Sequence, residues 1–206
     1  MKSTHTLLSS LLLLVFTLSG GCARHDKIDT VDRSTKILAF GDSLTSGVGA
    51  ESEYSYPSIL SELLNCEIEN YGISGEDTTA GLARLPKALE ETRPDLVLLC
   101  YGGNDMLRKQ PTEQTKSNLE KMITLIKAQG ADIVLIGVPK PGLTLSVPDL
   151  YQDLADQYSL PLEKDSIRRI IQTPSLKSDK VHPNAAGYKV MAESIHQLII
   201  ESSSRD

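Results

Sequence analysis

Tryptophan is absent from this 206-residue chain and phenylalanine occurs only twice. An aromatic platform of the kind that stacks sugar rings is therefore poorly supplied. Basic residues are outnumbered, 21 Lys and Arg against 27 Asp and Glu, giving a formal charge of −6. That balance argues against a nucleic-acid-binding protein, which needs a basic face to neutralise phosphates. Cysteine is scarce too, with three in the chain, and none stands with His at zinc-ligand spacing. No metal or organic cofactor is expected. No internal repeat of solenoid period is present, and a chain of this length accommodates one domain whose core needs no disulfide staples.

The first stretch reads as an export signal. Lys2 supplies a positive start, Leu7 to Leu18 is apolar except for Ser9, Ser10 and Thr17, and Ser19-Gly20-Gly21 precedes Cys22. Such a run is short for a membrane span, which takes about 20 apolar residues, but suits a signal peptide over residues 1–21. A Cys directly after small residues resembles the lipobox of bacterial lipoproteins, although Ser19 stands where Leu is usual. The pattern predicts export, with lipidation at Cys22 anchoring the protein to a membrane of the cell envelope. Plain cleavage into the periplasm and an uncleaved anchor are the other readings. Residues 22–34 are polar without an apolar period and are expected to form a tether, with the folded domain spanning residues 35–206. Cys66 and Cys100 lie in or beside apolar runs, which favours two buried free thiols over a disulfide.

Within the domain, strands are predicted at 36–40, 67–71, 96–101 and 132–137, and a short one at 160–163. Helices are predicted at 57–64, 78–91, 112–129 and 151–158, with a helical turn at 167–171 and a last helix from Pro183 or Asn184. Tyr188, Met191, Ala192, Ile195, Leu198 and Ile199 form the inner stripe of that last helix. Pro86 is expected to kink or divide its helix. The strands at 36–40, 96–101 and 132–137 are apolar at nearly every position, the mark of a parallel sheet covered on both faces. The fold class is therefore α/β, a three-layer α/β/α sandwich. Ligands of such sheets bind beyond the carboxyl ends of the strands.

Polar clusters fall at those ends. Gly41-Asp42-Ser43-Leu44 follows the first strand, Ser74-Gly75 the second, and Gly102-Gly103-Asn104-Asp105 the third; Asp179-Lys180-Val181-His182 precedes the last helix. A serine hydroxyl needs a base to become a nucleophile. Of the four histidines, His5 lies in the signal, His25 in the tether and His196 among solvent-facing positions of the last helix. His182 is left as the base for Ser43, and Asp179 stands close enough in sequence to orient its imidazole. The backbone N–H of Ser43, the backbone of Gly75 and the side-chain amide of Asn104 are candidate oxyanion donors. Taken singly, each cluster has an ordinary structural reading: a helix cap, a turn, a helix entry. Together and in this order they are hard to read as coincidence.

The four clusters resemble the four sequence blocks of the SGNH/GDSL hydrolases. The resemblance covers roughly residues 36–200. It implies a flavodoxin-like sheet, Ser43 as nucleophile, His182 as base, Asp179 as its orienter, and Ser43, Gly75 and Asn104 as oxyanion donors. Gly81-Leu-Ala-Arg-Leu85 further resembles the bacterial arylesterase, lysophospholipase and acyl-thioesterase subgroup. Tyr101 departs from that subgroup, which has a smaller or aliphatic residue there, and is expected to alter the pocket. Arg84 is expected to be solvated, and Tyr54, Tyr56 and Tyr71 to be surface or half-core residues. Thr45 stands where the Gly-x-Ser-x-Gly elbow of α/β-hydrolases has its second glycine, which sets that class aside. The expected activity is hydrolysis of an acyl ester on a small molecule or lipid through an acyl-enzyme on Ser43. An acyltransferase or deacetylase of cell-envelope polysaccharide, and a lipid-anchored binding protein without catalysis, are the alternatives.

Overall fold

A computed structural model describes residues 27–142 and 144–203. The expected signal peptide, the expected lipidation site Cys22 and His25 lie outside the described residues. Five strands form one parallel sheet: β1 (Ile37–Gly41), β2 (Ile68–Gly72), β3 (Leu96–Cys100), β4 (Asp132–Ile136) and β5 (Leu162–Glu163), in the order β2-β1-β3-β4-β5. This is the flavodoxin-like order, in which the chain reverses its direction of growth between β1 and β3. Every residue of β1 and β3 is buried, as their unbroken apolar sequence requires. Each fully buried Leu or Ile there contributes about 1.5–3 kcal/mol relative to exposure.

Among the described residues, eight α-helices flank the sheet: α1 (Ser43–Ser46), α2 (Tyr56–Leu64), α3 (Thr78–Thr92), α4 (Gly103–Leu107), α5 (Thr112–Ala128), α6 (Asp149–Tyr158), α7 (Ser166–Gln172) and α8 (Ala185–Ser202). The link from β1 to β2 runs one way along the sheet and every later link runs the other. Right-handed crossovers therefore place α2 on one face and α3, α5 and α6 on the opposite face. Accordingly, α2 packs on α8, while α3 and α6 pack on α5. The apolar stripe of α8 is buried at Tyr188, Met191, Ala192, Ile195 and Ile199.

Three expectations need correcting. Helix α3 continues through Pro86 and is not divided by it. Pro86 sits on the exposed face, so the carbonyl it deprives of an N–H partner can turn to water. Tyr56 is fully buried, its hydroxyl 3.1 Å from the Thr45 Oγ1. Part of the stretch read as a tether packs on the domain: Ile28 is buried in the core and its N–H donates to the Ser202 carbonyl at 3.1 Å. Cys66 and Cys100 are both buried and unpaired.

One feature of the register positions the site. Gly41 lies opposite Gly72 on one side and Cys100 on the other. The loops leaving β1, β2 and β3 therefore start level with one another, at one edge of the sheet.

Candidate active site

Ser43 opens α1 directly after β1. The turn is tight because Gly41 lacks a side chain: a Cβ there would lie 2.6 Å from the Cys100 carbonyl oxygen and collide with Thr45. Asp42 caps α1, its Oδ1 accepting from the Leu44 N–H at 3.0 Å, and Gly47 ends it after one turn at φ +89°. As first residue of a helix, Ser43 has an N–H with no intrahelical acceptor.

Across the edge stands His182. Its Nε2 is 3.0 Å from the Ser43 Oγ and its Nδ1 is 2.7 Å from the Asp179 Oδ2. With a neutral ring, Nδ1–H donates to the carboxylate and the Nε2 lone pair faces the serine hydroxyl. The other Asp179 oxygen accepts the backbone N–H groups of Val181 and His182, each at 2.8 Å. Partial burial would raise the Asp179 pKa, but these hydrogen bonds and the imidazole outweigh it and hold the carboxyl at about 2. The loop carrying the pair is fastened by Asn184, which caps α8 through the Gly187 N–H at 3.0 Å and donates to the Ser175 carbonyl at 2.9 Å.

Asn104, in the first turn of α4, points its amide between the two preceding loops. Nδ2 donates to the Asp42 Oδ2 at 3.1 Å and to the Glu76 carbonyl at 2.9 Å. Gly75 adopts φ +78°, a left-handed conformation that glycine reaches without steric cost. Arg108 holds that loop from outside, donating to the Gly75 carbonyl at 2.6 Å and to the Asp77 carboxylate at 2.7 Å. Asp105, also in the Gly-Gly-Asn-Asp cluster, is buried away from the serine and accepts from the Thr78 N–H at 3.0 Å, pinning the start of α3.

Asp42 is 2 % exposed. Burial raises its pKa to about 6, against the lowering by the Leu44 N–H, the Asn104 amide and His182. The fold thus prefers the neutral acid. Its contribution to stability is full below pH 3.8, where the unfolded carboxyl is also protonated, and is lost as pH rises through about 6. Asp42→Asn removes this loss. Denaturation midpoints of the two proteins at pH 4 and pH 7 should show the variant gaining about 2 kcal/mol on the wild type between them. An unchanged difference would place the Asp42 ionisation elsewhere.

Ser43, Gly75, Asn104 and His182 line one cavity of about 560 Å³, whose far side is apolar: Leu107, Val138, Pro139, Leu145, Ile167 and Ile171. The structure thus brings together every site residue expected from the sequence within the described residues. Tyr101 does not line this cavity; it is fully buried beneath it. Arg84 is not a solvated residue: its side chain is 21 % exposed and bonded to Glu76. No group of three or more His, Cys, Asp or Glu side chains among the described residues is arranged to hold a metal ion.

Residues 39–190 match the model of the GDSL-like lipase/acylhydrolase family. The chain belongs to this family. It is 36% identical to an arylesterase of Vibrio mimicus over 179 residues, covering 82% of this chain and 90% of the relative. It is 28% identical to the thioesterase 1/protease 1/lysophospholipase L1 of Escherichia coli K12, covering 76% of this chain and 79% of that one. The fold resembles the psychrotrophic esterase EstA of Pseudoalteromonas, with TM-score 0.73 and 24% identity over 82% of this chain and 98% of that one. The protein is therefore an esterase of the GDSL acylhydrolase type. What family membership did not make legible is the pairing of Arg84 with Glu76. Its one signal was the place of Arg84 on the stripe formed by buried Gly81, Leu85 and Ala88.

Proposed function

We propose that this GDSL hydrolase cleaves esters of aliphatic acyl chains through a covalent acyl-enzyme on Ser43. The observation that carries the reading is the hydrogen-bonded chain from Ser43 Oγ to His182 Nε2 at 3.0 Å and from His182 Nδ1 to Asp179 at 2.7 Å, opening onto an apolar cavity. His182 takes the hydroxyl proton as Ser43 Oγ attacks the ester carbonyl. Asp179 keeps the ring in the tautomer that presents a lone pair to the serine and stabilises the imidazolium. The Ser43 N–H, the Gly75 N–H and the Asn104 amide receive the negative charge that develops on the carbonyl oxygen. His182 then protonates the leaving group, and water releases the acid by the reverse sequence.

The acyl chain fills the far side of the cavity, between Leu107, Val138, Leu145 and Ile171. The relatives named arylesterase and lysophospholipase agree with acyl ester cleavage. Each CH2 that enters contributes about 0.8 kcal/mol, about fourfold in kcat/KM. A p-nitrophenyl ester series is therefore expected to rise from acetyl to a medium-length chain and then level or fall. A fluorophosphonate should abolish turnover and add one mass adduct, on the peptide carrying Ser43. An adduct elsewhere that inactivates the enzyme would refute the assignment, and a series declining steadily from acetyl would refute the acyl-chain cavity.

A further inference from the structure

Beneath the floor of the site lies a polar triangle that the proposed chemistry does not use directly. Arg84 on α3 donates through Nε to both Glu76 carboxylate oxygens, at 3.0 and 2.7 Å. Its Nη2 donates to the Tyr101 hydroxyl at 2.7 Å, and that hydroxyl donates to Glu76. The same Nη2 reaches the Tyr71 carbonyl at 2.7 Å and the Gly41 carbonyl at 3.3 Å. One guanidinium therefore touches the last residue of β1, the next-to-last of β2, the residue after β3, and the loop that carries Gly75. Its Cζ lies over the Phe40 ring, 4.1 Å from the centroid, which is 5.4 Å from that of Tyr101.

The triangle is shielded from water. Tyr101 is fully buried and the Glu76 side chain is 9 % exposed. Burial, reinforced by the hydrogen bond to Glu76, raises the Tyr101 pKa, so the hydroxyl stays protonated and remains a donor. The site is also sized for a tyrosine. A Cβ on Gly81 would lie 2.6 to 2.8 Å from three atoms of the Tyr101 side chain, so the glycine of the Gly81-Leu-Ala-Arg-Leu85 stretch leaves the space that Tyr101 occupies. The departure of Tyr101 from its subgroup thus comes with a polar partner set and a matching gap.

The carboxylate end of Glu76 is held by this triangle, and its main-chain carbonyl is the acceptor for the Asn104 amide at 2.9 Å. The residue before it is Gly75. We infer that Tyr101, Glu76 and Arg84 are positioning residues, which fix the Glu76 peptide and thereby aim both the Gly75 N–H and the Asn104 amide at the developing oxyanion. The inference rests on the serine-esterase reading given above. Oxyanion donors act only when aimed in advance, and a shift of about 1 Å in such a group costs up to about 100-fold in rate.

Tyr101→Phe removes the hydroxyl and keeps the ring packing against Gly81 and Phe40. On p-nitrophenyl acetate it is expected to lower kcat about tenfold with KM unchanged, since the lost interaction serves the transition state alone. Glu76→Gln, which keeps the side-chain volume, should give a similar loss. The decisive readout is a cycle with Asn104→Ala. Because the triangle aims the Asn104 amide as well as the Gly75 N–H, Tyr101→Phe should cost clearly less once Asn104 is gone. Thermal midpoints of all four proteins accompany the rates. A wild-type kcat in both Tyr101→Phe and Glu76→Gln overturns the inference, as does a Tyr101→Phe loss that is equally large with and without Asn104. Ser43→Ala separates the failures: if it retains turnover, the serine reading falls and this inference with it; if it is inactive while Tyr101→Phe is unimpaired, only the positioning role falls.

Discussion

Ser43→Ala is expected to lower kcat on a p-nitrophenyl ester by 10⁵- to 10⁶-fold, on the order seen when a serine nucleophile is removed from a triad. The Ser43 Oγ is 3.0 Å from the His182 Nε2, whereas Ser74, which also lines the cavity, makes no hydrogen bond to that ring. His182→Ala should cost about as much, and the double variant no more than either single one, because nucleophile and base act as one unit. Little stability should be lost. The bonds that shape the turn run through the Ser43 carbonyl, which accepts from the Gly47 and Val48 N–H groups at 3.2 and 3.1 Å, and the substitution leaves that carbonyl in place. Circular dichroism and the thermal midpoint check this. Turnover above contaminant level in the purified Ser43→Ala protein would mean that another group attacks the ester.

Asn104→Ala carries the second largest effect, a 100- to 1000-fold loss in kcat with little change in KM, as for removal of one oxyanion donor. Both Asn104 amide hydrogens already have acceptors, Asp42 Oδ2 and the Glu76 carbonyl. An arriving oxyanion must therefore share or draw away one of them. Truncating Asn104 also strips the Asp42 carboxylate of a donor and should push its titration above about 6. Steady-state kinetics across an ester series, with the variant's unfolding followed from pH 4 to 7, tests both statements. A rise in KM at unchanged kcat would assign Asn104 to ground-state binding.

The sequence was most legible where physics leaves least choice. Leu96 to Cys100 and Ile133 to Ile136 are apolar on both faces, which only a covered parallel strand tolerates, and they are strands in the structure. Ser43, Gly75, Asn104 and His182 stand out in the sequence because they follow strands or precede the last helix, and aligned strand ends gather them at one cavity. Two kinds of feature were illegible. The single-turn helices α1 and α4 carry too few residues to show a period. Long-range acceptors leave no local trace: Arg84 reads as a solvated charge until the Tyr71 and Gly41 carbonyls and the Glu76 carboxylate are seen to converge on it. The expectation that Tyr101 alters the pocket fails to place it for the same reason. Its neighbours in sequence say nothing of Gly81, whose missing side chain makes room for its ring.

The fastening of Ile28 beside Ser203 bears on how the enzyme meets any surface. Asp29 bonds Asp132, the first residue of β4, at 2.7 Å, so both ends of the described chain sit at the amino edge of the sheet, whereas Ser43 sits at the carboxyl edge. A bead, an electrode or a fusion partner coupled beside Ile28 or Ser203 would hold the molecule by its base, with the mouth of the cavity turned outward to the passing solution.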